Sequence, residues 1–224
     1  MQAVILAAGQ GLRLRPFTEK HPKPLIPIAD KSLIQYTLEA LPDSTTEVVI
    51  VVGYLGDQIR EALGNKWNRL PITYVDQPEL SGTGNALLMA KDLLHDKFLV
   101  VNGDDLYTKQ DLSKLVEPEL SMLAWQSTTP YEFGLDVSED QILKGFNPNS
   151  ALLNCGAYCL NESFFAEPLA TITVHEKTEY SLPHTLVALA KNQTVKVVFA
   201  TDWLPVGTPE QLSFANDYYV KKTR

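Results

Sequence analysis

Short apolar runs rich in β-branched residues alternate with helix-spaced stretches through the first half of this 224-residue chain. That alternation constrains the fold more than any other feature. The runs at 3–7, 47–52, 72–75 and 98–101 read as buried strands. Residues 33–41, 55–63 and 86–94 carry apolar side chains at helical spacing, the second stretch stopping near Gly64. Strands buried on both faces and separated by helices build βαβ units, so an α/β fold is expected, with a mixed, mostly parallel central sheet flanked by helices. Crossovers are right-handed because the chain is. Beyond residue 119 the pattern loosens: strands are expected at 121–125, 141–144, 152–160 and 195–200, and helices at 182–190 and from Pro209 onward. In an open parallel sheet, ligands gather at the carboxyl ends of the strands. Functional residues are therefore sought in the loops that leave those ends.

Composition removes several classes. A net charge of −8 opposes broad binding to nucleic acid or to an anionic membrane, since both need basic patches. No apolar run reaches membrane-spanning length, and the apolar start lacks a basic leader. Two cysteines, Cys155 and Cys159, do not make a disulfide framework and read as buried thiols in a reducing compartment. The expected location is the cytoplasm. Homo-oligomerisation stays open.

The first strand runs into Leu6-Ala7-Ala8-Gly9-Gln10-Gly11-Leu12-Arg13-Leu14-Arg15-Pro16. Two glycines and two alanines leave backbone N–H groups open to a bulky anion, and Arg13 and Arg15 add charge; such a loop cradles a triphosphate. Gly-x-Gly alone is equally a turn, and neither the dinucleotide fingerprint nor the P-loop pattern is present. Pro22-Lys23-Pro24-Leu25 follows, with prolines stiffening the backbone around a lysine that is otherwise a surface residue.

Together, Leu-Ala-Ala-Gly-x-Gly-x-Arg-Leu-x-Pro-x-Thr over residues 6–18 and Pro-Lys-Pro-Leu around Lys23 resemble the pyrophosphorylase motif of the sugar-1-phosphate nucleotidyltransferases. Leu12 stands where that family usually has Thr. The resemblance covers nearly the whole chain. It implies a Rossmann-like nucleotidyltransferase fold without a β-helix domain, forming one domain over 1–224 with an NTP-binding half (1–118) and an acceptor-binding half (119–224). It also implies that Arg13 and Lys23 hold the triphosphate and steady the leaving pyrophosphate, with Leu6, Ala8, Gly9 and Gly11 among the nucleotide-binding positions.

Gln77, Gly82 and Thr83 lie in Gln77-Pro78-Glu79-Leu80-Ser81-Gly82-Thr83, which opens a helix. A primary amide donates and accepts at once, which suits the imide edge of uracil or thymine, although a flipped amide also reads cytosine. The stretch resembles the family's base-binding Gln-x-x-x-x-Gly-Thr and leans toward UTP or dTTP. Asn102-Gly103-Asp104-Asp105 places carboxylates at the end of a buried strand, where oxygen ligands suit Mg²⁺ bridging phosphates. The resemblance makes Asp104 the metal ligand; Asp105 is either a second carboxylate or a cap for the next helix.

In the second half, Phe133-Gly134, Asn154-Cys155-Gly156-Ala157-Tyr158 and Glu179-Tyr180-Ser181-Leu182 resemble the family's sugar-binding blocks, implying acceptor contacts at Gly134, Asn154 and Glu179. Two departures stand out. The family's Glu-Lys-Pro falls on Phe146-Asn147-Pro148, leaving Lys144 as the nearest substitute for its lysine. The second carboxylate of Trp-x-Asp-x-Gly-Thr falls on Pro205, so Asp202 is the nearest candidate for a second metal ligand. His21 sits beside Lys23 and is placed to touch phosphate; His95, His175 and His184 read as surface or helix residues, and Phe214, Tyr218 and Tyr219 as helix packing.

The expected reaction is Mg²⁺-dependent attack of a sugar 1-phosphate oxygen on the α-phosphorus of an NTP. One alternative is a cytidylyltransferase acting on a non-sugar phosphate such as phosphocholine. The other is a non-catalytic paralogue that binds a nucleotide sugar and regulates a partner.

Overall fold

Along the first strand, Ala3, Ile5 and Ala7 turn to one face and Val4 and Leu6 to the other, and all five are buried. Both sets have helices to pack against, so both faces of the sheet are covered, as a near-continuous apolar strand requires. The computed structural model describes residues 1–174 and 176–222; His175 lies outside them.

Strands β1 (Gln2–Ala7), β2 (Pro27–Ile28) and β3 (Lys31–Ser32) lead into helix α1 (Leu33–Ala40). Then come β4 (Glu47–Val52), α2 (Gly56–Leu63), β5 (Lys66–Trp67), β6 (Leu70–Asp76) and α3 (Thr83–Met89). β7 (Lys97–Asn102), β8 (Asp105–Tyr107), α4 (Lys109–Leu115) and β9 (Ser121–Gln126) are next. The second half contains β10 (Leu135–Val137), β11 (Leu143–Phe146), β12 (Leu152–Asn161), the hairpin β13 (Thr171–Val174) and β14 (Lys177–Tyr180), and α5 (Leu182–Leu189). It ends with β15 (Lys196–Phe199), β16 (Trp203–Pro205) and α6 (Pro209–Lys222).

One eight-stranded sheet has the order β15-β9-β12-β7-β1-β4-β6-β5. The pairs β7–β1, β1–β4, β4–β6 and β15–β9 are parallel. β12 enters antiparallel between β9 and β7, and β5 joins β6 antiparallel. The mixed, mostly parallel sheet expected from the sequence is the one found. One core lies between the sheet and α3 and α5, where Val4, Leu6, Leu87, Leu182 and Leu186 meet. The other lies under α1, α2 and α4, where Ile5, Ile34, Ile59 and Leu112 meet. A third cluster, around Leu14, Ile28, Leu106 and Val206, fastens α6 to the first loop.

Two boundaries differ from expectation. Helix α3 begins at Thr83 rather than 86, because Gly82 adopts φ 98°, which a side chain resists, and turns the chain into the helix there. It stops at Met89, and a 3₁₀ turn, Lys91–Leu93, carries the apolar residues that extend the helical pattern. The strand expected at 141–144 runs from Leu143 to Phe146, because Leu143 pairs with Val137 and Gly145 with Asp136, leaving Lys144 as the extra residue of a bulge.

Cys155 and Cys159 are free and fully buried on β12. Burial pushes both thiols up, Cys159 to about 12. The thiolate is the reactive form. Ellman's reagent at pH 8 is therefore expected to find no thiol in the native protein and both after denaturation; rapid native labelling would contradict this placement.

Candidate active site

Three backbone hydrogen bonds draw together the loops that leave the central strands. Gly103 N–H donates to Leu6 O at 2.9 Å, Tyr54 N–H to Ala8 O at 3.0 Å, and Gln77 N–H to Val52 O at 2.8 Å. The carboxyl ends of β7, β1, β4 and β6, adjacent in the sheet, thus form one rim. Gly103 must be glycine here: a Cβ would stand 2.9 Å from Ile5 Cγ2 and 3.2 Å from Leu6 O.

After β1, Gly9 and Gln10 are exposed, and space beside Gly9 is open. Gly11 takes φ 63° and starts the 3₁₀ turn Leu12–Leu14, with Leu14 N–H donating to Gly11 O at 2.9 Å. Thr18 Oγ1 donates to the same carbonyl at 2.9 Å, so Gly11 is held from two sides. Its α-hydrogen side lies against Lys23, whose Cβ would be 3.1 Å from an added Cβ. Lys23 is only 7% exposed, an unusual burial for lysine, and its Nζ meets Asp104 Oδ2 at 2.5 Å. Arg13 is exposed, with its guanidinium against Gly207; a Cβ there would be 2.9 Å from Nη2. The structure thus brings Lys23 and Asp104 together, and sets Arg13 on the same loop as Gly11.

Asp105 does not cap the next helix. Thr108 caps α4, its hydroxyl accepting from Asp111 N–H at 3.0 Å. Asp105 is instead a buried member of β8, directly opposite Pro205 of β16. Burial, reinforced by the neighbouring Asp104 charge, raises its carboxyl to about 7, against opposing help from Lys23, Val206 N–H and the Asn102 side chain. Asp104, a third exposed, offers hard oxygen to a divalent ion, with Asp105 behind it. No group of three or more His, Cys, Asp or Glu side chains is poised for a metal among the described residues. These donors fit an ion that completes its shell with phosphate oxygens and water, the habit of Mg²⁺. The structure does not bring Asp202 to Asp104. Asp202 lies beyond the far end of β16, where its carboxylate accepts from Tyr218 Oη at 2.6 Å and its N–H donates to Asp111. Tyr218 and Tyr219 do pack within the α6 region, Tyr219 against Tyr36 at 4.4 Å between ring centroids, whereas Phe214 is 60% exposed.

Gln77 is buried, and its amide nitrogen donates to Gly82 O and Asn85 Oδ1, both at 3.1 Å. The carbonyl oxygen is left to accept. Gly82 lies against the backbone of Tyr180 and against Glu179, so β14 closes over the start of α3. Thr83 Oγ1 accepts from Leu182 N–H at 3.2 Å and ties α3 to α5. Glu179 is thereby placed beside the Gln77–Gly82 loop.

Asn154 sits near the start of β12, its amide donating to Tyr158 Oη at 2.7 Å and its Oδ1 accepting from Gly156 N–H at 3.0 Å. Gly156 (φ 70°) rests directly on the Asn102 side chain, so Asn154 reaches the rim at β7. Gly134 is clamped between Asn147 and Ser150, with Asn147 N–H donating to its carbonyl at 2.7 Å. Lys144 is exposed at its bulge in β11, and its side chain makes no hydrogen bond or ion pair with the described residues. His21 is exposed beside Lys23.

A family model described as nucleotidyl transferase matches residues 2–222. The chain belongs to the nucleotidyl transferase family. That is the family, and the fold, that the pyrophosphorylase-like motif led us to expect. The chain is 34% identical to the bifunctional protein GlmU of Methanocaldococcus jannaschii over 229 residues, covering 99% of this chain and 55% of that protein. It thus spans about half the length of the GlmU relatives it matches. It is 28% identical to the UTP–glucose-1-phosphate uridylyltransferase AglF of Haloferax volcanii, covering 100% of this chain and 98% of AglF. In fold it matches a crystal structure of UDP-glucose pyrophosphorylase complexed with UDP-glucose, with a TM-score of 0.80 at 23% identity, covering 99% and 98% of the two chains.

Within this nucleotidyl transferase, sequence reasoning did not find the cluster formed by Tyr131, Phe133, Phe146 and His184. A signal was available. Two aromatics flank Glu132 in a Pro-containing loop that the strand pattern leaves unassigned, where burial of both is not expected.

Proposed function

We propose that the chain catalyses Mg²⁺-dependent transfer of a nucleotidyl group from UTP or dTTP to a sugar 1-phosphate, releasing pyrophosphate. The observation that carries this reading is the buried Lys23 paired with Asp104 at the foot of the Gly11 loop, with Arg13 on the same loop. A lysine held there has phosphate as its natural partner, and Asp104 is freed to hold the ion once phosphate arrives. The kinship with AglF, named as a UTP–glucose-1-phosphate uridylyltransferase, supports a sugar 1-phosphate as acceptor.

The acceptor phosphate oxygen attacks the α-phosphorus and the pyrophosphate leaves. The nucleophile is already anionic, so no strong general base is required. Arg13 and Lys23 neutralise charge on the leaving pyrophosphate, and the loop amides orient it. Mg²⁺, held by Asp104, supplies further charge neutralisation on phosphate oxygens when bound. The chain works as one domain, with the NTP half 1–118 and the acceptor half 119–224, in the cytoplasm. The described residues contain no helix long and apolar enough to cross a membrane.

The test is a matrix of NTPs against sugar 1-phosphates, read by pyrophosphate release with and without Mg²⁺. Turnover only with purine NTPs, or with no sugar 1-phosphate, overturns the reading. Within the same matrix, Gln77→Ala is expected to raise KM for UTP or dTTP about three- to tenfold, the effect of losing one neutral hydrogen bond. The buried amide leaves its oxygen to accept from the imide N–H of those bases. An unchanged pyrimidine preference removes Gln77 from base reading.

A further inference from the structure

The segment that has Pro205 where the family places a carboxylate touches the site at another point. A Cβ on Gly207 would stand 2.9 Å from Arg13 Nη2, 3.3 Å from Arg13 Cζ and 3.2 Å from Gln211 Oε1. The φ of Gly207 lies outside the left-handed region, so the backbone itself does not call for glycine; the room taken by Arg13 and Gln211 does. Arg13 is exposed and makes no hydrogen bond or ion pair with the described residues. Its five N–H donors are uncommitted, and what orients its guanidinium is contact.

Gly207 is itself held in place. Its N–H donates to Gln211 Oε1 at 2.8 Å, and Gln211, in the first turn of α6, donates its own N–H to Thr208 Oγ1 at 3.3 Å. Val206, the residue before, is fully buried in the cluster that joins Leu14 to Ala215 of α6, and its N–H is a partner of the Asp105 carboxyl. Pro205 pairs with Asp105 across β8 and β16. One strand pair therefore locates both Asp105, next to Asp104, and the surface on which Arg13 rests.

We infer that Gly207 is a positioning residue: it seats the Arg13 guanidinium, with Gln211 holding the seat, so that Arg13 meets the triphosphate in one orientation. The inference rests on the proposed reading, in which Arg13 holds the triphosphate. A guanidinium binds phosphate best with two N–H groups at once, and a donor given to a protein anchor is lost to the ligand. Contact with a bare glycine restricts the side chain before the ligand arrives and uses no donor, which lowers the ordering cost of binding. Both atoms that a methyl group would strike are the far ends of flexible side chains. Gly207→Ala therefore displaces Arg13 and leaves the fold intact.

Side-chain NMR of nitrogen-labelled arginine and calorimetry with UTP and Mg²⁺ test this on the intact protein without turnover. The Arg13 Nε–H signal is the one missing from Arg13→Lys. In Gly207→Ala it is expected to move toward the position of free arginine. The signals of Arg60 and Arg69, tied to Asp76 and to Asp43 O, should hold, which also verifies the fold. The dissociation constant for UTP should rise about five- to tenfold in Gly207→Ala, as a charge-assisted contact at an exposed site loses its alignment. In the Arg13→Lys background the same substitution should add less than about twofold, because lysine lacks the fork that the seat aligns. Gln211→Ala, which frees the Gly207 N–H, should move the Arg13 signal the same way and carries the test if Gly207→Ala does not fold. The inference is overturned if the Arg13 signal stays in place, if UTP affinity is unchanged, or if it falls equally in the wild-type and Arg13→Lys backgrounds. If signal and affinities behave as expected while the wild type releases no pyrophosphate with any pair of substrates, the seat stands and it is the transferase reading that fails.

Discussion

Lys23→Ala is expected to lower turnover roughly thirty- to a thousandfold, corresponding to about 2–4 kcal/mol for a charge-assisted contact on developing charge in a sheltered site. The magnitude comes from where the lysine lies. A solvated lysine near phosphate contributes little, because water screens it. Lys23 is 7% exposed, gripped between two prolines and packed on Gly11, so its ammonium is delivered to one place at little entropic cost at the moment of reaction. Its present partner, Asp104, is a third exposed and stays hydrated when the lysine is removed, so the fold should survive. Lys23→Met retains most of the alkyl packing and separates the two roles. If the methionine and alanine variants are equally slow with wild-type circular dichroism, the loss is electrostatic. If the alanine variant alone unfolds, Lys23 serves packing, and an unchanged rate in both removes it from the mechanism.

How much of this site could be read in advance depends on whether a residue's role is local. β1, β4 and β7 are continuous apolar runs, and strands buried on both faces announce themselves. The Gly11 loop was legible because its glycine, cations and flanking prolines are contiguous. Asp105 was not. Its strand, β8, has three residues, too few to show a period, and exists because β16 arrives from nearly a hundred residues later to pair with it. Asp202 looked like a substitute for Pro205 because they are three residues apart. Pairing of Pro205 with Asp105, and of Trp203 with Tyr107, instead puts Asp202 beyond the opposite end of the ribbon, within reach of Tyr218. The bulge at Lys144 was hidden for a related reason: it is a misfit between two strands, and one strand alone does not reveal it. The aromatic cluster joins residues from β11, α5 and a loop, so only the tertiary fold assembles it.

Asp104→Asn is expected to reduce Mg²⁺-dependent turnover on the order of a thousandfold or more, because a metal that neutralises phosphate charge contributes several kcal/mol. The effect should be large in this chain because the usual second carboxylate position is proline. Asp105 sits deeper, with Val206 N–H and the Asn102 side chain as partners, and burial beside Asp104 raises its carboxyl. On the proposed reading Asp104 would therefore carry most of the ion's protein contact, with the rest of the shell left to triphosphate oxygens and water. Asp202→Asn is expected to leave the Mg²⁺ requirement unchanged, since the Tyr218 hydroxyl holds that carboxylate away from the rim. Pro205→Asp, on the strand pair facing Asp105, is expected to lower the Mg²⁺ concentration for half-maximal turnover by adding a ligand. It should also lower stability without metal, because three carboxylates would then face one another around a single lysine. Titrating Mg²⁺ against the wild type and the three variants checks all of this together. A requirement that rises as steeply in Asp202→Asn as in Asp104→Asn overturns the single-carboxylate arrangement. An inactive wild type that Pro205→Asp brings to life identifies a binding protein that has lost its metal.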